Sequence, residues 1–495
     1  MAANFLHGVE TVEIDDGAVA IRLVKTAVIG LVGTAPIFEC DEANRTVNKP
    51  VLILNDKAAA RHFGTEREGY SIPQALNAIF DQQSNSSGSG AVIVVNVFDP
   101  ATHKTAVAEA AYTFDADGVI TLGKSGLTGV TVKSQDGATT HVAGTDYTLD
   151  PVAGTVTRKE GGAVAAGATV KVAFAHADPS KVTPGDIIGG ADVAGDRFGM
   201  QAFKDCFSLF GYHPKILIAP GYSPLAAVTT ELAVLAEAMR AIAMVDAPVG
   251  TSFQQALAGR GPSGSINFNT SSPRTVLCYP HCKVYNAATD ITELQPYSSR
   301  LAGALAARDM DNGYWWSPSN REIQGIVGME FLLTAGINDP NSEVNQLNEV
   351  GITTIFNAYA TGLRTWGNRS AAWPTVTGPK QFINIRRVAD VIAESIEYSM
   401  LQFLDRPINN AFIDAITESV NSFFRTLTAR GALLDGRCWY DKGLNEATEL
   451  ANGHITFSYD FMPPPPAERI TFESRVNINY LKALNATANT VSASA

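Results

Sequence analysis

Four places in the sequence bring together residue types that can do chemistry. Gly118-Val-Ile-Thr-Leu-Gly123-Lys124-Ser125 matches the phosphate-loop pattern G-x-x-x-x-G-K-S. That loop must follow a buried strand and open a helix, so that backbone N–H groups and the helix dipole hold phosphate. Here the four variable residues are themselves strand-like, and Ser125 leads into Gly-Leu-Thr-Gly-Val-Thr-Val, which is not a helix. Gly259-Arg-Gly261-Pro-Ser-Gly264 fits G-x-G-x-x-G, but it follows a helical segment, whereas a dinucleotide site needs it directly after a strand. Cys278-Tyr-Pro-His281-Cys282 offers half of a zinc site, which needs about four ligands; the remaining cysteines and histidines are scattered, so these read as buried thiols at a strand end. Asp309 and Asp311 could share acid–base work, yet Asp309 to Gly313 reads as a loop after a Leu301–Ala307 helix. No G-x-S-x-G or H-E-x-x-H occurs. The prediction is no catalytic residue, no cofactor site and no metal site.

The elements that would position such residues point elsewhere. A chain of 495 residues exceeds the ~250–300 at which single cores stop growing, which predicts two or three domains. With 45% hydrophobic and 17% charged residues, it fills globular cores. The net charge of -12, with no run of Lys and Arg, argues against direct nucleic-acid contact. Five cysteines, sparse and odd in number, fit reduced cytosolic folding. Met1 to Gly17 lacks a signal-peptide pattern, and no apolar stretch reaches the ~20 residues of a membrane helix. The expectation is a soluble chain made in a cytoplasm, with no membrane insertion.

Short apolar runs at 27–32, 51–54 and 91–97, with a helical pattern at 72–80, predict an α/β layer. The alternation resumes with helices at 199–210, 224–243 and 251–258 and strands at 215–219, 241–245 and 275–279. Residues 112–174 break it: Thr and Val alternate between Gly and Asp turns, which predicts a small all-β insertion. Ser84 to Gly90 reads as a flexible loop. Two amphipathic helices follow, one carrying Val388 to Leu404 and one Ile408 to Leu427, the second with Asp414, Glu418 and Arg425 on its polar face.

Both ends carry alternating strands. At 8–14, Val9, Val12 and Ile14 make a short one. Ile455, Phe457, Tyr459 and Phe461 share one strand face, and then Pro463 to Pro466 form a stiff spacer that cannot pair in a sheet. Beyond it Ile470, Phe472, Val476, Ile478 and Tyr480 share one face. A strand held off the body with unpaired backbone edges is an aggregation hazard unless a partner edge receives it. Two such arms pairing with other copies would build an open helical polymer. The alternative is that both ends fold back onto their own domain.

Several segments in order resemble the tail sheath family of contractile phages: His7-Gly8-Val9 to Gly17; Thr26 to Ala35; Lys215-Ile-Leu-Ile-Ala-Pro-Gly221; Leu301-Ala-Gly with Asp309 and Gly313-Tyr-Trp-Trp-Ser-Pro-Ser-Asn-Arg-Glu-Ile-Gln-Gly325; Leu347 to Ile352; Trp366-Gly-Asn-Arg369; and Asn384-Ile-Arg-Arg387. The resemblance spans the chain except about 105–183. With the patterns above, it implies an α/β and α+β multidomain fold: an N-terminal arm (1–20), an α/β core (21–104 and 184–345), a C-terminal inner α+β domain (346–462), and a proline spacer with C-terminal arm (463–495), while the β-domain inserted at 105–183 is read from its own alternation and varies or is absent in the family. It further implies six-fold rings stacked helically around an inner tube, terminal arms exchanged between subunits with 455–461 as acceptor, and contraction that drives the tube through an envelope. The partners so implied are other copies, the tube protein, and baseplate and tail terminator proteins. The place implied is a virion tail assembled in host cytoplasm. Asp414, Glu418 and Arg425 are candidates for tube contact. Phage, phage-like bacteriocin and injection apparatus are not separable on this sequence. An α/β enzyme or another structural polymer, such as a surface-layer or capsid subunit, would be the competing class.

Overall fold

The computed structural model describes residues 21–82, 90–287, 289–358 and 362–483. Val9, Val12 and Ile14, and the expected loop apart from Gly90, lie outside the described residues. The chain divides into two compact units, one ending at Pro464 and one beginning at Pro465.

The first unit is built on an eight-stranded sheet. Its strands are β1 (Val28–Gly33), β2 (Pro50–Ile53), β3 (Ala91–Asn96), β4 (Ile216–Ile218), β5 (Ile242–Asp246), β6 (Thr275–Cys278), β7 (Ile352–Ala358) and β8 (Gly362–Trp366), in the order β2-β3-β1-β4-β5-β6-β7-β8. The six strands from β3 to β7 run parallel, while β2 and β8 are antiparallel edges. Parallel strands are covered on both faces, which is why these segments read as unbroken apolar runs. In β1, Ile29 and Leu31 enter one core with α1 (Ser71–Phe80) and α3 (Tyr297–Asp311). Val28 and Val32 enter the opposite core with α2 (Ala226–Ala238). At about 1.5–3 kcal/mol per fully buried large aliphatic side chain, these two layers hold the sheet. Gly303 permits a close crossing of α3 over α1: a Cβ there would lie 2.7 Å from the Ile79 carbonyl oxygen.

Residues 104–177 form two small sheets around one core that includes Phe114, Val132, Tyr147, Val156 and Phe174. The four-stranded sheet begins with Lys104–Thr113, an alanine-rich strand that starts before the expected break at 112. Alanine is a poor strand former in isolation, and pairing with Thr169–Ala177 overrides that preference. The segment expected as a helix at 199–210 is a 3-10 turn (Gly199–Asp205) followed by a short helix (Cys206–Phe210).

The C-terminal part of this unit packs α4 (Ile383–Met400) and α5 (Asn410–Ala429) with the two-stranded sheet β9 (Asp435–Tyr440) and β10 (Phe457–Met462). Asn409 caps α5 by accepting from the Phe412 amide at 2.8 Å, and Gly431 follows at φ +79°. Val388, Ile392, Val420, Phe424 and Leu427 form its core, with Tyr314 from the segment after α3.

In the second unit, residues 467–480 form no strand; the described part contains one 3-10 turn, Ile478–Leu481. Phe472 and Val476 are 90% and 103% exposed. A strand needs a ladder of hydrogen bonds to a partner strand, and among the described residues no strand pairs with 467–480.

Candidate assembly surfaces

The residues first considered for chemistry occupy structural positions. Asp309 and Asp311 are a correction: both lie within α3, which runs through Asp311, not in a loop. Asp309 is gripped by both Arg387 guanidinium nitrogens, one at 2.6 Å, while Asp311 pairs with Arg321 at 2.9 Å. Separate arginines thus hold the two carboxylates apart. In the phosphate-loop match, Val119–Thr121 is a strand and the next element is the strand Thr128–Ser134, so the loop does not open a helix. The five cysteines are free and buried, and no metal-holding group of His, Cys, Asp and Glu occurs among the described residues. Burial pushes the Cys206 and Cys282 thiols up to about 12.

Ligands of open α/β sheets bind where the strand order reverses, outside the carboxyl ends of the strands. At the carboxyl ends of β1 and β3 the backbone is held by neighbouring side chains. The Thr34 amide donates to Ser71 Oγ (3.1 Å), the Ser71 amide to Thr34 Oγ1 (3.2 Å) and the Ala35 amide to Asn96 Oδ1 (2.9 Å). A second cluster at the strand ends escaped the sequence reading. Wholly buried Asp246 accepts from the Ser298 amide (2.8 Å), Ser298 Oγ (2.5 Å) and Ser223 Oγ (3.2 Å). Burial raises its carboxyl pKa, and the hydrogen bonds and nearby His281 oppose the rise. These contacts tie β5 to the start of α3. Single residues far apart in sequence carry no period, so nothing in the primary structure announces such a hub.

The motif residues behind the family resemblance are staples. Arg369 lies 3.8 Å from the Trp373 ring and 5.0 Å from the Phe382 ring. Asn384 donates to the Trp315 carbonyl at 3.0 Å. On α4, Asp390, Glu394 and Glu397 follow i, i+4, i+7 spacing and so share one face. Asp390 takes Arg274 through two bonds (2.5 and 2.9 Å) and Arg386 at 2.6 Å. Glu394 takes Lys215 at 2.5 Å, and Glu397 takes Arg240 through two bonds of 2.6 Å. This ionic stripe joins α4 to the α/β layers.

The sheet β9–β10 has two outer edges, and they differ. The Cys438 amide donates to Asn421 Oδ1 at 2.7 Å, and Asn421 Nδ2 donates to the Cys438 carbonyl at 3.0 Å. The amide side chain of α5 thus imitates a neighbouring strand and closes the β9 edge. It also fixes the ladder's phase. Both backbone groups of Cys438 point away from β10, so its opposite residue Tyr459 points away from β9, as do Phe461 and Phe457, opposite Gly436 and Tyr440. Their N–H and C=O groups have no partner among the described residues, and β10 carries neither bulge nor lysine. Tyr459 lies 6.0 Å from the Phe424 ring, so the face bearing Phe457, Tyr459 and Phe461 is turned to α5. Ile455 precedes the strand.

The edge strand Lys104–Thr113 is built in the opposite way. Ala108 and Glu109 together oppose Ala173, a bulge, and Glu109 bridges Lys133 at 2.8 Å and Lys171 at 3.8 Å. Bulges and charges blunt an edge against pairing.

Asp414, Glu418 and Arg425 are all exposed on α5, opposite its buried Ile416, Val420, Phe423 and Leu427, and Arg425 pairs with Glu418.

Comparisons with known proteins identify the family. Residues 181–371 match the phage tail sheath protein central domain and residues 376–477 the phage tail sheath C-terminal domain. A family of unknown function matches residues 99–184. The tail sheath protein of Burkholderia phage BcepMu is 50% identical, covering 98% of this chain and 99% of the relative. The tail sheath protein of Escherichia phage P2 is 25% identical over 98% and 99%. Among solved structures, the helical sheath of the anti-feeding prophage in its contracted state has a TM-score of 0.58 at 16% identity, covering 96% of this chain and all of that one. The sheath complex of an extracellular contractile injection system has a TM-score of 0.57 at 14% identity, covering 97% and 100%. The chain therefore belongs to the tail sheath family of contractile phages, whose members are structural tail proteins and not enzymes.

Proposed function

We propose that this subunit polymerises as stacked hexameric rings around a tail tube, and contracts to drive the tube through a host envelope. Terminal arms exchanged between copies hold the polymer together. The observation that carries this reading is an open strand edge in a chain that also holds an exposed alternating segment. β10 offers the outward backbone groups of Phe457, Tyr459 and Phe461, and the arm beyond the prolines offers Ile470, Phe472, Val476, Ile478 and Tyr480, all exposed. At ~3.3 Å per residue, 467–480 spans about 45 Å when extended, enough to reach a neighbouring copy. Val9, Val12 and Ile14 supply the second arm. The blunted 104–113 edge supports a place for residues 105–183 on the outer surface, outside the polymer contacts.

The polar face of α5, with Asp414, Glu418 and Arg425, would meet the tube, since a contact that breaks on contraction must be polar and modest. Baseplate and terminator proteins would cap the polymer, which assembles in host cytoplasm and acts in the virion tail. Negative-stain microscopy tests the reading. The full chain should give long hollow tubes, and a chain lacking 467–495 should give soluble subunits; normal tubes from the truncated chain would refute arm exchange. Charge reversal at Asp414 and Glu418 should release the tube but leave the sheath; retained tube attachment would remove that contact.

A further inference from the structure

Two exposed features of the surface are complementary in shape and charge. The first is an apolar patch at the C-terminal end of α4. Phe207, from the short helix Cys206–Phe210, stacks on Tyr398 with ring centroids 5.1 Å apart and the planes 10° from parallel. Leu401 follows Tyr398 by three residues and Leu404 comes after it; the leucines are 61% and 65% exposed, and both rings are exposed as well. A group of large apolar side chains left in water marks a contact surface. Its surroundings are basic. Arg22 runs beside it, with its amide bonded to Ser399 Oγ at 3.2 Å. Lys25 holds its ammonium 4.2 Å from the Tyr212 ring, and the neighbouring His213 ring lies 5.7 Å from Phe207. Lys204 precedes Phe207 by three residues, and Arg406 sits 5.1 Å from the Phe403 ring. Against these four cations stands Asp405, while Glu397 and Asp205 are already paired with Arg240 and Arg197. On a chain of net charge -12, this rim reverses the prevailing sign.

The second feature is a hairpin tip. Gly190–Ala191 pairs with Arg197–Phe198, and Asp192-Val-Ala-Gly-Asp196 closes the turn. Asp192 Oδ1 accepts from the Ala194 and Asp196 amides, both at 2.9 Å, and the Asp192 amide donates to the Asp196 carbonyl at 2.9 Å. Gly195 supplies the φ of +90° that the turn requires. The tip is therefore fixed before any partner arrives, which removes much of the ordering cost of binding. On it Val193 is fully exposed, between the exposed acids Asp192 and Asp196. We infer that this tip docks on the α4 patch of a second copy, with Val193 against Leu401 and Leu404 and the two carboxylates toward the basic rim. The inference rests on the polymer reading and adds to it a contact between subunit bodies, separate from the arms. An apolar knob that fits a patch elsewhere on the same molecule makes a head-to-tail contact, the kind that builds open helices. Its rim charges make the contact weaker as salt rises.

Disulfide trapping in assembled tubes of the full-length protein tests this. All five native cysteines are buried, and a disulfide needs Cα atoms within about 4.4–6.8 Å. Val193→Cys is combined with either Leu401→Cys or Leu404→Cys. At least one pair should give a ladder of linked chains on a non-reducing gel, because each chain then carries one half of two different contacts. No link from either pair, or links only within one chain, would overturn the docking and give the patch to another occupant. Val193→Ser with Asp196→Lys measures the weight of the contact, since neither side chain holds the turn. That variant should need at least ~10-fold more protein to form tubes. Wild-type tubes are the control. Their absence would refute polymerisation and this contact with it, whereas tubes forming equally well from wild type and variant would refute the contact alone.

Discussion

Replacing Lys215 with Met probes the joint between α4 and the α/β layers. Lys215 Nζ lies 2.5 Å from Glu394 Oε2 and donates to the Met239 carbonyl at 2.9 Å; the two side chains are 7% and 9% exposed. Burial pushes the amine's pKa below its ordinary value, and Glu394 pulls it back. Met fills the space of the stem but leaves a buried carboxylate without its cation. Breaking a buried pair on one side costs about 3–5 kcal/mol, whereas replacing both partners with apolar groups is often neutral. Lys215→Met should therefore destabilise by about 3–5 kcal/mol, and Lys215→Met with Glu394→Leu should recover most of that loss. Arg240→Ala, which breaks the solvent-facing pair to Glu397, should cost about 1 kcal/mol or less. Urea denaturation of the four proteins, read by tryptophan fluorescence, measures all three differences. A single Lys215→Met substitution costing no more than Arg240→Ala, or a double variant less stable than Lys215→Met alone, would refute a buried ionic joint.

Other perturbations bear on separate parts of the molecule. Asn421→Ala should cost about 1–3 kcal/mol by leaving the Cys438 amide and carbonyl unpaired, and should add aggregation through the reopened β9 edge; light scattering and denaturation report both. Gly303→Ala should force α3 away from α1, at about 1–3 kcal/mol by the usual cost of overpacking, measured as a fall in denaturation midpoint. Hydrogen bonds from Ser180 and Thr105 lower the Asp178 carboxyl from its ordinary 3.8 to about 2. A carboxyl depressed in the fold stabilises it fully above the ordinary value and loses that contribution as pH falls through the folded value. The stability gap between wild type and Asp178→Asn should therefore narrow from pH 4 toward pH 2, as followed by thermal melts across that range.

Periodic features of the sequence were readable, and features set by contacts across the fold were not. Buried parallel strands such as Ala91–Asn96, and the amphipathic α5, follow directly from runs and periods. The Lys104–Thr113 strand was hidden by its alanines, because its conformation comes from its partner strand. β9 was hidden because Asp-Gly-Arg-Cys-Trp-Tyr alternates poorly and is held by Asn421 from a helix. Asp309 resembled a loop residue because its helix ends only two residues later and its partner, Arg387, is 78 positions away. The open β10 edge is the most informative case. Its apolar alternation was legible, but only the capped Cys438 tells which backbone groups face outward.

Reconstruction of the assembled tube by electron cryomicroscopy bears most directly on how the subunits are joined. Density should show an extended segment from an adjacent copy hydrogen-bonded along Phe457, Tyr459 and Phe461, with Ile470 and Phe472 or their N-terminal counterparts turned toward α5. An assembled tube in which that edge meets only solvent, and each chain's ends stay within its own body, would contradict it.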